Sequence, residues 1–339
     1  MSDQIKQLLS GQTLDETNAV ALFESMLGGE LTDIEISAAL TALKMHGETG
    51  VEIATLVNTL RERAVKINKP DGIFADCAGT GGDGLGTFNV STAAALTAVA
   101  CGVPMLKHGN RASSSPSGSA DIIERVGFNL GLSPEQLSEV FEATGFAFIF
   151  APAFHPLVGR VMPVRKTLAT ATIFNLAGPL ANPAAPPVQL MGVCDRALLK
   201  PMAEVLQRIG CEKGLVVYGS GLDEVAIHDS TEAIYVSQDE MREMTLTVDD
   251  FGVSKHPISS IQLGDEDALD VFKAVVDGVA DEAKLTTVAI NTAAIIWLAG
   301  KAPDLRSATE MAMNALTEKK VRAKLDEIVA AVAQCQREQ

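Results

Sequence analysis

Three clusters in this sequence have the residue types and spacing to handle a phosphate-rich ligand. Asp76 to Thr92 reads DCAGTGGDGLGTFNVST. Its glycines let backbone amides approach a ligand closely, and Asn89 to Thr92 set amides and hydroxyls at a helix start, where the peptide dipole favours anions. Gly79, Gly81 and Gly84 formally satisfy GxGxxG, but no acidic residue follows at about 20 positions to hold a ribose. No Lys-Ser or Lys-Thr pair closes the loop, so it is not a Walker P-loop. Lys107 to Asp121, KHGNRASSSPSGSAD, adds a lysine and an arginine four residues apart and then a run of serines. That supply of positive charge and donors suits a pyrophosphate. Asp223 and Glu224 follow an apolar segment and the turn Gly219, Ser220, Gly221. Two carboxylates placed there can face one crevice and hold Mg²⁺, which takes one or two carboxylates and completes its shell with substrate and water. The Asp-Glu dipeptide occurs six times in the chain, so its position after a strand and a turn is what singles this pair out.

Each cluster also has a plainer reading. Ser91 and Ser119 suit N-caps, a role that does not exclude phosphate contact. Arg165 could cap or salt-bridge a helix. His108 and His155 read equally well as packed loop histidines, and Asp223-Glu224 as a solvated loop. The five cysteines, Cys77, Cys101, Cys194, Cys211 and Cys335, are scattered, with no CxxC pair, and read as buried free thiols.

The scaffold that must position these residues has two parts. Over the first seventy residues, Thr32 with Glu35 and Thr49 with Glu52 fit capping boxes. Ile36, Leu40 and Leu43, then Ile53, Val57 and Leu60, recur at helical spacing before the basic stretch Arg61, Arg63, Lys66. Lys69 to Gly72 is a turn cluster where that period stops. The division is therefore a helical domain over 1–70, with part of 165–190 packing on it, and an α/β domain over 71–339. From Ile73 the grammar is apolar segment, Gly- or Ser-rich loop, helix: strands at Ile73 to Ala78, Val103 to Leu106, Leu190 to Val193 and Leu215 to Val217, and helices at Ser91 to Cys101, Ala120 to Val126 and Leu198 to Ile209. That order predicts a mostly parallel central sheet, whose adjacent strands bring their following loops to one carboxyl edge. The proline-broken segment Pro163 to Pro187 reads as an interdomain crossing. Beyond the acidic loop near Gly264 to Asp267 come amphipathic helices, and Lys319 to Glu338 look like a solvated surface.

Bulk properties narrow the field. The 339 residues suit two domains, and 47% hydrophobic with 21% charged residues is a chain that folds. Subtracting 43 acidic from 27 basic residues gives a net charge of -16, the opposite of a nucleic-acid footprint. No apolar run reaches the roughly 18 residues of a membrane span. The start, MSDQIKQLLSGQ, has no secretory pattern, and the expectation is a cytoplasmic protein.

Taken together, GTGGD (Gly79 to Asp83), NVST (Asn89 to Thr92), KHGNR (Lys107 to Arg111), GSAD (Gly118 to Asp121), PVRK (Pro163 to Lys166), TIFNLAGPLANP (Thr172 to Pro183) and LDE (Leu222 to Glu224) resemble the anthranilate phosphoribosyltransferase family, in order and spacing from about Leu31 to about Leu316. The resemblance implies a nucleoside phosphorylase/phosphoribosyltransferase-like fold. It implies transfer of the 5-phosphoribosyl group from phosphoribosyl pyrophosphate to the amine of anthranilate, with pyrophosphate released, in tryptophan biosynthesis. Carried over by position, Gly79, Gly82, Asp83, Thr87, Asn89, Val90, Ser91, Thr92, Lys107, His108, Gly109, Asn110, Arg111, Ala112, Ser113, Ser114, Ser115 and Ser119 surround the donor. Gly79, Asn110 and Arg165 contact anthranilate. Ser91, Asp223 and Glu224 hold Mg²⁺, two ions per monomer, and Lys107, Asp223 and Glu224 are the catalytic positions. A homodimer through the helical domain is implied as well. Departures from the family pattern are Pro116 where lysine is usual, Ala171 where arginine is common and Tyr218 for a frequent histidine. Two alternatives share the fold: a pyrimidine nucleoside phosphorylase, against which GTGGD and NVST argue, and a nucleic-acid-binding relative, against which the acidic charge argues.

Overall fold

The computed structural model describes residues 2–112 and 117–337. Ser113, Ser114, Ser115 and Pro116, all named above, lie outside the described residues. Four helices open the chain: α1 (Asp3–Leu9), α2 (Glu16–Gly28), α3 (Asp33–His46) and α4 (Gly50–Arg63). Both predicted capping boxes form. Thr32 N–H donates to Glu35 at 3.1 Å and Thr49 N–H to Glu52 at 2.8 Å, while each threonine hydroxyl accepts the return bond. Glu52 is fully buried because its second oxygen takes Leu14 N–H at 2.9 Å, which joins α4 to the start of the chain.

The α/β part runs β1 (Ala75–Gly79), α5 (Val90–Ala100), β2 (Met105–Gly109), α6 (Ser119–Arg125), α7 (Pro134–Thr144), β3 (Phe146–Phe150), α8 (Ala151–Phe154), α9 (Met162–Leu168), α10 (Ile173–Ala177), β4 (Val188–Gly192), α11 (Leu199–Arg208), β5 (Lys213–Tyr218), β6 (Thr231–Ser237) and β7 (Met241–Leu246). It closes with α12 (Val248–Phe251), α13 (Ala268–Val276), α14 (Glu282–Leu298), α15 (Leu305–Thr317) and α16 (Lys320–Arg337). The sheet order is β3-β2-β1-β4-β5-β6-β7, parallel from β3 through β5 and antiparallel for the last two strands. β3 and the antiparallel pair β6–β7 are additions to the sequence reading. β2 also differs from it: the strand runs on to Gly109, pairing Lys107 with Phe148 and Gly109 with Phe150, so Lys107, His108 and Gly109 are strand residues and not loop residues.

The sheet separates two cores. On one face, α1 to α4 pack with Val161, Val164, Phe174 and Leu180, with α11, and with Met191, Val216 and Ile234 of the sheet. On the other face the sheet meets α5 and α14, and α15 packs on those two helices. α14 is buried on nearly every side, the pattern of a helix at the centre of a core. Polar bonds stitch the helical layer to the sheet: Arg61 donates to Leu180 O at 3.1 Å, and Asn182 donates to Asp76 at 2.9 Å and to Leu106 O at 2.7 Å.

Candidate active site

The chain leaves β1 toward β2 on one side and, after β3, crosses to β4 on the other. Ligands of open α/β sheets bind over the carboxyl ends of the strands at such a switch point. Here the edge is shaped by absent side chains. The segment carrying Asp223 and Glu224 lies directly across it: a Cβ on Gly192, the last residue of β4, would stand 1.6 Å from Asp223 O, and one on Gly79, the last residue of β1, would stand 2.1 Å from Asp223 Oδ2. Only glycine permits that approach.

The segment is tied down from three directions. Gly81 N–H donates to Asp223 Oδ2 at 2.7 Å, linking it to the loop after β1. Asn291, fully buried in α14, accepts from Val225 N–H at 2.9 Å and donates to Val225 O at 3.1 Å. Thr231 accepts from Ala226 N–H at 2.9 Å. Asn291 is a positioning residue the sequence reading passed over; its only signal is an amide inside an apolar helix. The loop after β1 is fastened to β4 in turn, Thr80 N–H to Gly192 O at 3.0 Å and Cys194 N–H to Thr80 Oγ1 at 3.1 Å. Asn89 donates to Ser117 O at 2.9 Å, which brings the two glycine- and serine-rich loops together.

Beneath this floor lies Lys107, 1% exposed, whose Nζ donates to Cys77 O at 2.6 Å and reaches Ser91 Oγ at 3.4 Å. With Cys77 O accepting from it and the Ser91 hydroxyl within reach, the amine is not left without partners, which is how a lysine can occupy a central strand. The amine's charge favours the ionised form of Glu224, the second acid of the pair. Strand alternation turns His108 to the other face, where its ring meets His155 edge-on at 5.2 Å. Burial holds both imidazoles below their usual range, His155 down to about 4. Arg111 is engaged by Glu124 at 2.8 Å and Asp121 at 3.0 Å. Thr87 bridges Gln262, and Ser119 donates to Asn110 O at 3.3 Å. Arg165 makes its contacts with Met162, Phe174 and Asn175, outside the two donor loops. Tyr218 ends β5 against the helical-layer core, and Ala171 is exposed just before α10.

The electrostatics of the acid pair test whether a cation fits. Burial pushes Asp223 up to about 6, with Asp83 repelling it further, and burial pushes Glu224 well above the carboxylate range, with Asp223 as the next cause. Lys107 and the Ser91 N–H at the start of α5 offset this for Glu224 only in part. Acids that resist ionising together are short of positive charge, and a divalent cation supplies it. Among the described residues no three His, Cys, Asp or Glu side chains converge as a closed cage. The two carboxylates of the pair are the number Mg²⁺ takes, its remaining ligands being water and phosphate oxygens.

The pattern of the glycosyl transferase family, a/b domain, matches residues 71–320, and that of its helical bundle domain matches residues 2–64. The chain is 44% identical over 303 residues to the anthranilate phosphoribosyltransferase of Pseudoalteromonas translucida, covering 89% of this chain and 85% of that protein. It is 43% identical over 317 residues to that of Vibrio vulnificus, covering 93% and 95%. Among solved structures, the Thermus thermophilus anthranilate phosphoribosyltransferase superposes with a TM-score of 0.91 at 36% identity, covering 98% of this chain and 100% of that one. The Saccharomyces cerevisiae enzyme in complex with phosphoribosyl pyrophosphate and Mg gives 0.86 at 26% identity, with 97% of each chain covered.

Proposed function

The chain belongs to the glycosyl transferase family of the anthranilate phosphoribosyltransferases, and from that premise we infer how its own residues carry the transfer. It is a Mg²⁺-dependent enzyme that moves the 5-phosphoribosyl group from phosphoribosyl pyrophosphate to the amine of anthranilate, forming N-(5-phosphoribosyl)anthranilate and pyrophosphate in tryptophan biosynthesis. Breaking the bond between the anomeric carbon and pyrophosphate leaves a cationic sugar and a multiply charged anion, so the residues must mainly hold the leaving group and position the amine. The amides of the loop after β1 and the start of α5 grip phosphate, with Gly79, Gly82, Asp83, Thr87, Asn89, Val90, Ser91 and Thr92 on one side and the loop after β2 on the other. Ser91, Asp223 and Glu224 hold Mg²⁺, which when bound neutralises charge on the departing pyrophosphate. Two ions per monomer is the stoichiometry we propose, supported by the mutual repulsion of Asp223 and Glu224 and the added repulsion from Asp83. The aromatic amine is already neutral at pH 7, so the transfer asks for no strong general base. Arg165 and Asn110 pair with and orient the anthranilate carboxylate.

What carries this reading is the Gly81 to Asp223 bond, which brings a phosphate-type loop and an acid pair 142 residues apart into one crevice. The deciding experiment follows anthranilate fluorescence with donor and Mg²⁺ present or omitted. Signal loss only when donor and Mg²⁺ are both present supports the reading, and loss without Mg²⁺, or none at all, overturns it. Arg165→Ala should raise the anthranilate KM about 100-fold while the donor KM stays near its wild-type value, since a charge-assisted hydrogen-bond pair is lost on one substrate only.

The chain is read as a helical domain over 1–70 with part of 165–190, and an α/β domain over 71–339. Cys77 and Cys211 are buried thiols, Cys101 and Cys194 are part-exposed, and thiols of this kind fit a reducing, cytoplasmic setting. No helix among the described residues is long and apolar enough to cross a membrane. We also place a homodimer interface on the helical domain, where α1, α3 and α9 line an apolar groove of about 810 Å³ with Ile34 82% and Met45 80% exposed. Ile34→Glu with Met45→Glu should halve the mass seen by light scattering. An unchanged mass would remove the interface from this face.

A further inference from the structure

Arg165, read above as an anthranilate contact, is held by neutral groups. Its Nη2 donates to Asn175 Oδ1 at 3.1 Å, its guanidinium lies over the Phe174 ring at 5.3 Å, and its Nε is buried without a hydrogen-bond partner. Burial alone lowers its pKa; no carboxylate among the described residues acts on it. In a chain with 43 acidic residues, the side-chain oxygen that meets this half-buried cation is an amide. Asn175 Oδ1 also takes Thr172 N–H at 3.0 Å, the bond that starts α10. Both partners can only donate, so the amide oxygen must face them. The side chain is thereby locked by the backbone on one side and locks the guanidinium on the other.

We propose that Asn175 is a positioning residue that determines acceptor specificity: it orients Arg165 through a neutral acceptor and so leaves the full guanidinium charge for the carboxylate of the incoming aromatic acid. An aspartate has the same shape and would make the same two hydrogen bonds. It would also neutralise Arg165 from within, and the site would lose its preference for an anionic acceptor. The proposal rests on Arg165 as the anthranilate contact, and its test separates the two.

Asn175→Asp keeps the cap on α10, so a purely structural role predicts little change. We expect about a tenfold rise in the anthranilate KM, a donor KM within about twofold of wild type and an unchanged melting temperature. Anthranilamide, the uncharged analogue, should inhibit the variant as well as it inhibits the wild type. An unaltered anthranilate KM overturns the proposal, and so does a parallel loss of anthranilate and anthranilamide, which would mean a distorted pocket. Arg165→Ala is measured beside it. If that variant leaves the anthranilate KM unchanged, the assignment of Arg165 fails; if it raises KM while Asn175→Asp does not, only the role of Asn175 fails.

Discussion

Asp223→Asn combined with Glu224→Gln is expected to lower kcat/KM by about 10³-fold and, in the same protein, to raise the melting temperature at neutral pH by several degrees when cation and donor are absent. The two effects share a cause. Asp223 titrates at about 6 against an ordinary 3.8, and Glu224 is displaced upward too. Between those values the folded protein binds more protons than the unfolded chain, so stability declines as pH rises through that window and remains low above it. Neutral amides of the same shape remove the penalty and the metal site together. Calorimetry from pH 4 to pH 8, with and without Mg²⁺ and donor, checks it. A variant that loses activity and also melts lower throughout would mean that the acids hold the fold together, contrary to this account.

Gly192→Ala should have the other large effect. A methyl group there would meet the main-chain oxygen of Asp223 at 1.6 Å, an obstacle that no rotamer change relieves. The crossing segment has to move, against its bonds to Asn291 and Thr231. Overpacking of this kind destabilises by about 3 kcal/mol. A shift of about 1 Å in the acid pair costs roughly 10²-fold in turnover. Urea unfolding with steady-state kinetics measures both, and an alanine variant with wild-type Mg²⁺ dependence would show that the crossing segment yields freely.

Much of this was legible in the residues, and what was not has physical reasons. Thr32 and Thr49 announce their helices because a capping box is local, written within four consecutive positions. The glycine loop, Asp223 and Glu224 are readable because their chemistry demands particular residue types. The extent of β2 was hidden by Lys107, a charge that normally ends a buried strand. It is accommodated because Cys77 O and the Ser91 hydroxyl, from elsewhere in the chain, meet its amine. β6 and β7 were passed over because charged residues such as Glu232, Arg242 and Glu243 interrupt their apolar positions at the sheet edge. Asn291 looked like a flaw in an apolar stretch, and its purpose appears only with Val225 beside it, 66 residues away. The neutrality of Asn175 was equally silent, since an amide and an acid differ there by one charge and by nothing in the pattern.

The distances along the chain that meet at the Asp223 crossing bear on how this protein is made. Gly81 must wait for a partner 142 residues downstream, and that partner is not clamped until Asn291 in α14 has been synthesised. On the ribosome the helical layer can condense early from neighbouring contacts, whereas the catalytic crevice is among the last features to close. A chain stopped short of α14 therefore carries the whole phosphate loop and both acids, yet lacks the strut that joins them.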